Sequence, residues 1–570
     1  MVSQTLDTDI LILGSGGAGL FAALHAHKAA PGLSITVAVK GLLGKCGCTR
    51  MVQGGYNVAL AEGDSVERHF MDTIEGGKWV PDKELAWKLV TLAVERIREL
   101  ENELGCFFDR NPDGSVHQKA FAGQTFDRTV HKGDLTGIEI INRLAEQVWA
   151  RNIARLEEHR AVELIKSSSG DAVAGVLFID MRTGGYVLVR AKAVLLATGG
   201  GPTMYKYHTP SGDKSCDGLA MALRAGLALR DMEMVQFHPT GLLAGAHTRM
   251  TGTVLEEGLR GSGGYLLNGE RERFMSRYDP KAERATRDVV SRAMFAEIRK
   301  GRTTPNGGLY ISMAHLGPQR VKREFKGMVE RCADCGFDLA GGLVEVVPTA
   351  HYMMGGVEFN ADCTTALRGL FVAGEDSGGV HGANRLGGNG VANSTVFGAV
   401  AGDTMAQWIP GRELLEPDRP AIEAAVAACE RAFRNSSKGN LEAIRERLYE
   451  TMWEKVGIIR DEAGLRAAGG ELAELDAELD AHGLSDANRT FNLTWHDWLN
   501  LKSLVAVSRV IARAATARRD SRGAHFRSDF PDPGPLERSS YTSVQGACVS
   551  MKPVVFSRVR PGQSLLKDAA

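Results

Sequence analysis

The sequence has 570 residues, with 68 Lys and Arg against 69 Asp and Glu, 44% hydrophobic residues and 67 Gly. A formal charge of -1 argues against nucleic acid or an anionic membrane as the main partner, and the length fits about three domains. Glycine makes up about 12% of the chain against a usual ~7%, with too little Pro for low-complexity disorder. The excess indicates tight turns and close approaches of backbone to a ligand.

The chain begins with a nucleotide-binding pattern. An apolar run at 10–13 predicts a buried parallel strand, and a helix-forming segment follows a glycine cluster. Strand, GxGxxG and helix together form the dinucleotide fingerprint, in which the first glycine permits the turn and the second admits a pyrophosphate. The last glycine lets helix and strand pack closely, while the helix N-terminus supplies N–H donors. These glycines are Gly14, Gly16, Gly17 and Gly19.

Three further segments extend this pattern. The second predicted strand, 34–39, ends at Lys40 rather than at the acidic residue of many NAD enzymes, which disfavours a simple nicotinamide-binding domain. A later apolar strand ends in Ala-Thr-Gly-Gly at 197–200, an ending common in flavoproteins, and a glycine-rich region covers 369–389. The separated segments predict one FAD-binding domain assembled from distant pieces, with another domain inserted between them.

Cysteine usage and the N-terminal segment bear on metal binding, membrane insertion and cellular location. Nine cysteines at scattered positions do not form a disulfide framework, and Cys332 and Cys335 lack the second pair that a zinc site requires. No basic region or cleavage site marks the N-terminus, and glycines interrupt the uncharged stretch 10–27. We therefore expect no metal site, no transmembrane segment of its own and a cytoplasmic location, with any membrane link made through a partner.

A series of short motifs then follows in a fixed order. Together they resemble the flavoprotein subunit family of succinate dehydrogenase and fumarate reductase, whose relatives include L-aspartate oxidase and adenylylsulfate reductase. The resemblance covers about 8–531, nearly the whole chain. The motifs are Gln53–Gly55, Phe121–Gln124, Gln236–Gly241, Glu257–Gly264, Asn268–Met275, Arg287–Val290, His351–Gly356, His381–Arg385 and Ser521–His525.

The resemblance implies a fold and a domain layout. We expect an α/β, Rossmann-like FAD-binding domain at 1–235 and 345–410, interrupted by an α+β capping domain at 236–344. A helical domain at 411–515 and a C-terminal tail at 516–570 follow. The richness of 418–485 in Ala, Glu, Leu and Arg agrees with the helical part.

The resemblance also implies the reaction, interconversion of a C4 dicarboxylate and its unsaturated partner (fumarate and succinate) by hydride transfer at flavin N5. It assigns His238, His351 and Arg385 to the substrate carboxylates, with the two histidines donating when protonated and the arginine offering a bidentate fork. Phe121 matches a ring beside the substrate.

Proton transfer is assigned to a second group. Arg287 matches the acid/base residue, and Glu257 and Arg260 match a relay, which is needed because an arginine side chain is a poor proton donor. From the pattern alone, Glu257 and Arg260 also fit a structural ion pair, with Arg287 capping a helix.

The expected cofactor is FAD. The family's respiratory members attach it covalently through a histidine, and Cys48 stands at that position. We therefore expect non-covalent FAD, with a thioether to Cys48 as the alternative. Loss of the histidyl link goes with a lower flavin potential, which favours fumarate reduction over succinate oxidation. The predicted cofactor residues are Gly14, Gly16, Gly17, Gly19, Lys40, Cys48, Thr49, Gln53, Gly54, Gly55, Ala197, Thr198, Gly199, Asp217, Glu375 and Asn389.

Glu256, a predicted substrate-binding position, departs from the family pattern. Respiratory members usually have Thr there, and an ionised Glu would repel a substrate carboxylate. The side chain turns away, or it is protonated, or the substrate carries an ammonium or another substituent, as in an L-aspartate oxidase-like enzyme. A flavin electron-transfer subunit with a vestigial pocket is a further alternative.

The chain lacks a cysteine set for iron–sulfur clusters. As a flavoprotein subunit it would pass electrons through a separate iron–sulfur subunit, together with a membrane anchor, on the cytoplasmic face.

Overall fold

The computed structural model describes residues 2–245, 248, 250–435 and 439–566. Its strands are β1 Val2–Leu13, β2 Ile35–Ala38, β3 Tyr56–Asn57, β4 Gln118–Lys119, β5 Thr129–Val130, β6 Ala154–Leu156, β7 His159–Lys166, β8 Val173–Asp180, β9 Gly185–Leu196, β10 Leu229–Arg230, β11 Val235–Leu242, β12 Tyr265–Leu267, β13 Leu309–Ser312, β14 Val344–Met353, β15 Gly356–Val357, β16 Leu370–Val372, β17 Ser540–Gln545 and β18 Cys548–Pro553. Its α-helices are α1 Gly17–Ala29, α2 Val66–Gly76, α3 Lys83–Asn102, α4 Thr136–Ala150, α5 Asp217–Arg224, α6 Gly258–Gly261, α7 Arg287–Arg299, α8 Pro318–Glu324, α9 Lys326–Asp334, α10 Asn389–Trp408, α11 Arg419–Arg434, α12 Leu441–Lys455, α13 Glu462–Ala481 and α14 Leu493–Ala517.

A seven-stranded sheet in the order β6-β2-β1-β9-β8-β7, with β16 added beside β9, forms the centre of the molecule. Strand β1 runs parallel to β2 and β9, and β16 runs parallel to β9. The carboxyl ends of β1, β9 and β16 therefore meet at one edge, where ligands bind in open α/β sheets. The predicted assembly of one α/β domain from distant segments is confirmed.

Two glycines of the fingerprint are fixed by close packing at this edge. A Cβ on Gly14, whose φ is +111°, would lie 2.2 Å from the carbonyl oxygen of Ala197. A Cβ on Gly19 would lie 2.0 Å from the carbonyl oxygen of Gly14, so α1 can pack against β1 only with glycine there. Gly19 therefore contributes by packing, as the fingerprint predicts.

The inserted region carries a second sheet. Strands β11, β14, β13 and β12 form it in that order, all antiparallel, and α7, α8 and α9 accompany it. Its own buried core includes Leu266, Met294 and Ile311. This is the α+β capping arrangement that the sequence predicts. Strand β14 continues to Met353, past the predicted boundary at 344, and the domain boundaries themselves stay predictions.

The C-terminal part is helical and then adds strands. Helices α11 to α14 cover the predicted helical region, and the acidic stretch 471–480 lies on α13, where Asp476 and Asp480 contact Lys502 at 2.6 and 2.9 Å. The tail forms the hairpin β17–β18, and β17 pairs with β10 to extend a four-stranded sheet. This hairpin was not predicted from the sequence.

Neither a membrane-spanning helix nor a cluster of metal ligands occurs among the described residues. No helix among them combines the length and apolarity needed to cross a membrane. Likewise, within the described ranges no group of three or more His, Cys, Asp or Glu side chains is arranged to hold a metal ion.

Candidate active site

A cavity of about 1310 Å³ opens at the carboxyl edge of the central sheet. A narrower cavity of about 610 Å³ adjoins it and shares Gly16 and the 197–199 segment. The large cavity collects most of the predicted cofactor, substrate and relay residues from both domains: Gly16, Gly17, Cys48, Thr49, Gln53, Gly54, Gly55, Phe121, Ala197, Thr198, Gly199, His238, Glu256, Glu257, Arg287, His351, Glu375 and Arg385.

The narrower cavity contains the nucleotide end of the predicted site. Gly14, Lys40 and Asp217 line it. Lys40 Nζ donates to Asp217 Oδ2 at 2.9 Å, and Arg160 Nη2 donates to Asp217 Oδ1 at 2.7 Å. Although burial opposes ionisation, Arg160 and Lys40 lower the pKa of Asp217. The carboxylate is thus held charged and in a fixed position at the wall of this cavity.

The passage between the two cavities suits a pyrophosphate. Helix α1 begins at Gly17, whose N–H donates to Thr49 Oγ1 at 3.0 Å. The nearest atom to a Cβ on Gly16 is also Thr49 Oγ1, at 3.4 Å. The open glycine backbone and the N-terminus of a 13-residue helix provide an anion site of the dinucleotide type.

The middle of the large cavity has backbone and side-chain groups suited to a planar heterocycle. Glu375 Oε1 accepts from the N–H groups of Met353 at 2.9 Å and Gly201 at 3.2 Å. Gln53 Oε1 is buried and lacks a hydrogen-bond partner in the described part of the chain. That unused acceptor and the glycine cradle fit FAD.

Of the predicted cofactor residues, Gly19 and Asn389 line neither cavity, and Asn389 has a supporting position behind the wall. Its side chain is fully buried and bonds to Asn57 at 2.9 Å, His69 at 2.9 Å and Thr73 at 3.1 Å. These bonds tie α10 to β3 and α2 behind the cavity wall. Direct cofactor contact by Asn389 stays a prediction, and this position favours a supporting role instead.

The predicted relay residues form a continuous buried chain. Glu257 Oε2 accepts from Arg287 at 2.6 Å, and Glu257 Oε1 accepts from Arg260 at 3.0 Å. Arg287 also donates to Gln236 at 3.1 Å. Burial opposes ionisation of Glu257, but Arg287 and Arg260 lower its pKa. A Cβ on Gly387 would lie 2.3 Å from Glu257 Oε2, so this glycine leaves room for the chain.

Arg385 has donors to spare. It is 5% exposed, yet the single hydrogen bond of its side chain within the described residues is a long one, 3.4 Å, from Nη1 to the Leu386 carbonyl. Its Nε is buried without a partner, and its guanidinium lies 4.4 Å from the ring centroid of Tyr352. Burial, together with Arg287, lowers the pKa of Arg385 to about 10, so it remains cationic at neutral pH. A buried cation with unused donors is suited to an anionic ligand.

His238 and His351 face each other with ring centroids 5.3 Å apart. Burial and the nearby Arg287 hold the pKa of both imidazoles well below the ordinary value. They are therefore neutral at pH 7, unlike the protonated donors expected from the sequence. Nδ1 of His351 lies 2.7 Å from Thr209 Oγ1, so its other ring nitrogen is available to the cavity.

Glu256 lines the cavity, which argues against the expectation that it turns away. Its Oε2 accepts from Lys119 Nζ at 3.0 Å. Burial raises the pKa of Glu256 and Lys119 opposes this rise. Phe121 lies beside this pair, with Lys119 Nζ 5.9 Å from its ring centroid, and a Cβ on Gly54 would lie 2.5 Å from Phe121 Cζ.

Comparison with known proteins decides the family. Residues 9–391 match the model of the FAD binding domain, and residues 445–564 match that of the fumarate reductase flavoprotein C-terminus. The chain is 40% identical to one subunit of the fumarate reductase (CoM/CoB) of Methanothermobacter marburgensis, over 94% of this chain and 96% of the relative. It is 35% identical to the Escherichia coli fumarate reductase flavoprotein subunit, over 92% and 89%. The chain belongs to the fumarate reductase and succinate dehydrogenase flavoprotein family.

Solved structures agree with this assignment. A quinol fumarate reductase structure from E. coli matches with a TM-score of 0.91 at 32% identity, covering 98% of this chain and 99% of that one. The Sdh1 complex of Mycobacterium smegmatis with UQ1 matches with a TM-score of 0.86 at 35% identity, covering 98% and 96%. This member of the family is thus an FAD-dependent oxidoreductase of the fumarate reductase and succinate dehydrogenase type.

Several residues that contact the predicted site side chains were not themselves predicted, among them Gln236, Tyr352, Lys119 and Thr209. Gln236 and Tyr352 lie within the ordered motifs, so the sequence could have indicated them. Each also contacts a predicted site residue, Arg287 and Arg385 respectively. Lys119 and Thr209 lie outside the motifs, and their contacts with Glu256 and His351 span 137 and 142 residues. Only the fold brings these two pairs together.

Proposed function

We propose that this flavoprotein interconverts fumarate and succinate as the catalytic chain of a fumarate reductase-type complex. The observation that carries the proposal is Arg385, a buried guanidinium with unused donors, in one cavity with Arg287 and two neutral histidines. When bound, FAD supplies hydride transfer at N5. The remaining tasks fall to the protein: holding two carboxylates, excluding water and moving one proton.

Substrate binding falls to Arg385 and the histidine pair. The guanidinium can bind one carboxylate through two parallel N–H bonds. His238 and His351 each donate one N–H while neutral, so they orient the substrate without adding charge. Phe121 closes the cavity beside them and keeps water from the reacting carbons.

Proton transfer falls to the chain from Arg287 to Arg260. Arg287 Nη2 holds the proton that the substrate carbon receives during reduction, and Arg287 recovers a proton through Glu257, 2.6 Å away. Glu257 takes that proton from solvent by way of Arg260, at 3.0 Å, and returns to its ionised form once it has passed the proton on. In succinate oxidation the proton moves in the opposite sense. The place of Arg287 and Glu257 on the cavity wall supports this role over a purely structural ion pair.

FAD is held without a covalent bond in this proposal. Burial raises the pKa of Cys48 to about 12, so its thiol stays protonated and lacks the thiolate that attack on the flavin 8α carbon requires. Acid precipitation of the purified holoprotein should release all yellow colour to the supernatant. Flavin retained in the washed pellet, and lost in a Cys48→Ser variant, would establish the thioether instead.

Lys119 weakens the case for an L-aspartate oxidase-like enzyme. That alternative rests on a substrate ammonium to pair with Glu256, and Lys119 already pairs with it at 3.0 Å. Steady-state assays of the purified chain separate the two activities. We expect fumarate-dependent oxidation of reduced viologen and no hydrogen peroxide from L-aspartate; the reverse pattern would replace our proposal by the alternative.

A vestigial pocket makes a distinct prediction. An electron-transfer subunit without substrate binding would show no change in its flavin spectrum on addition of fumarate or malonate. The retained set of Arg385, Arg287, His238 and His351 in one cavity supports a saturable spectral change. A flat titration up to millimolar ligand would favour the electron-transfer subunit.

Electrons would enter or leave through a separate iron–sulfur subunit with a membrane anchor, and the enzyme would favour fumarate reduction. The relatives named above are subunits, and this chain has no cysteine set for clusters. Affinity purification from the native membranes should recover an iron–sulfur protein in equal amount. Recovery of the chain alone, with full physiological activity, would remove the partner from the proposal.

A further inference from the structure

We propose that the Lys119–Glu256 ion pair acts as a charge-matching device that selects unsubstituted dicarboxylates over substrates carrying an amino group. Lys119 would be a positioning residue that acts through Glu256, and Glu256 would face the substrate. The inference deepens the proposed function and rests on it.

Glu256 lines the large cavity together with His238, His351 and Arg385, and Lys119 pairs with it. Glu256 is 5% exposed, and Lys119 retains 18% side-chain exposure, with Nζ 3.0 Å from Glu256 Oε2. Lys119 Nζ also donates to the Gly133 carbonyl at 3.4 Å, and Lys119 is not among the residues that line the cavity. Among the described residues, Lys119 is the one whose side chain hydrogen-bonds to the Glu256 carboxylate.

The charges around the substrate explain why the pair is needed. Arg260, Arg287 and Arg385 are cations and Glu257 is an anion, while burial keeps His238 and His351 neutral. This set carries two net positive charges, which matches the two carboxylates of succinate or fumarate. The ion pair adds none. An unpaired Glu256 would cancel one of the two charges, and an unpaired Lys119 would add a third.

An amino group would meet this arrangement badly. The carboxylate available to a substrate ammonium is that of Glu256, and Lys119 occupies it. Displacing Lys119 would leave a half-buried lysine without its partner, which carries a desolvation cost. Glu257 offers no substitute because Arg287 and Arg260 hold both of its oxygens. The pair therefore rejects an ammonium by occupying its site in advance.

Other charges near the pair do not perform this task. Arg331 and Asp134 both act on Glu256, and they oppose each other: Arg331 favours its charged form and Asp134 its neutral form. His131 is neutral, because burial and Lys119 lower its pKa to about 4. Lys119 is thus the cation whose removal changes the charge at Glu256.

The test compares Lys119→Met, Lys119→Arg and the double variant Lys119→Met/Glu256→Thr, with Lys132→Met as the matched control. Lys132 contacts Asp109 at 3.3 Å and is 44% exposed, so its loss removes a nearby lysine outside the cavity. For each holoprotein we would measure kcat and KM for fumarate, and the constants for L-aspartate and malonate from the flavin spectrum.

Lys119→Met should raise the fumarate KM by about tenfold or more, the equivalent of losing one modest charge interaction, with kcat within about threefold of wild type. It should bind L-aspartate more tightly than wild type does. Lys119→Arg and the double variant should restore the fumarate KM to within about threefold, because neither leaves Glu256 unpaired. A Lys119→Met KM equal to that of the Lys132→Met control would overturn the inference, as would a double variant no better than Lys119→Met.

Glu256→Gln gives an independent readout if Lys119→Met loses its FAD or fails to fold. It leaves Lys119 as an added cation, so malonate and fumarate should bind more tightly and L-aspartate more weakly than in wild type. Unchanged constants for all three ligands would contradict charge matching. If the wild-type protein does not reduce fumarate, the proposed function itself is wrong. If the wild-type protein is active and the variants match it in their constants for all ligands, only this inference is wrong.

Discussion

Two buried ion networks in this flavoprotein look alike and differ in one respect. Near the C-terminal hairpin, Arg518 donates to Glu233 at 2.6 Å and to the Ser540 carbonyl at 3.0 Å, and the Arg518 and Glu233 side chains are fully inaccessible. In the active-site cavity, Arg287 and Glu257 are equally close, but the neighbouring Arg385 has a buried Nε without a partner within the described structure.

The two networks show when a buried charge indicates a ligand-binding site. Arg518 ends on protein atoms and holds the tail hairpin on the central domain, whereas Arg385 keeps donors in reserve for a ligand. Strong burial alone does not separate the two. The difference lies in whether the protein already uses the donors. Variants of the two networks test that distinction. Their expected effects range from a near-complete loss of activity to none.

Arg385→Met should have the largest effect on activity. Removing the unused guanidinium leaves a substrate carboxylate without its bidentate partner, and we expect kcat/KM for fumarate to fall by about a thousandfold or more. The melting temperature and FAD content should stay close to wild type, because the Arg385 side chain makes one long hydrogen bond to the protein. A loss of activity below tenfold would contradict the role of Arg385.

Glu257→Gln should lower kcat by about a hundredfold to a thousandfold, because an amide cannot return a proton to Arg287. The change in kcat should exceed any change in the KM for fumarate, since Gln can still accept a bond from Arg287. Steady-state kinetics with reduced viologen measure both constants. Equal falls in kcat and in dicarboxylate affinity would instead assign Glu257 to substrate binding.

Arg518→Met should reverse this pattern. It leaves Glu233 buried and unpaired, which typically costs about 3–5 kcal/mol, so the melting temperature should drop clearly. The kcat/KM of the fraction that remains folded should lie within about twofold of wild type. Activity lost at an unchanged melting temperature would show that the tail network takes part in catalysis and would break the comparison.

The smallest effect concerns pH. Burial and Arg287 hold the pKa values of His238 and His351 well below the ordinary ~6.5, so the fumarate KM should show no step near pH 6.5. The unfolded chain protonates these histidines and the folded one does not, so their contribution to stability is present above pH ~6.5 and declines below it. A fumarate KM that falls sharply below pH 6.5 would show instead that the histidines bind the substrate as protonated donors.

The sequence predicted the parts of this site that local patterns encode. The apolar run 10–13 and its glycines indicated the first strand and turn, because a buried parallel strand and a close helix crossing demand those residue types. The ordered motifs identified Arg287, Glu257 and Arg385. Lys119 could not be predicted, because it lies on a two-residue strand and its partner is 137 residues away.

Other features depended on tertiary context. The protonation state of His238 follows from its burial among arginines, which no spacing reveals. Asn389 follows a glycine motif yet points into α2 and β3 rather than the cavity. The hairpin β17–β18 pairs with a strand about 315 residues earlier, Leu229 with Val544, so its alternation alone did not show where it would dock.

The most direct test of the proposed activity is anaerobic oxidation of reduced viologen by the purified, FAD-loaded chain, with and without fumarate. We predict oxidation that requires fumarate, saturates with its concentration, is inhibited by malonate and yields succinate in equal amount. The Arg385→Met variant, with the same FAD content, should be nearly inactive. A wild-type chain that holds FAD, is reduced by viologen and ignores fumarate would contradict the central claim.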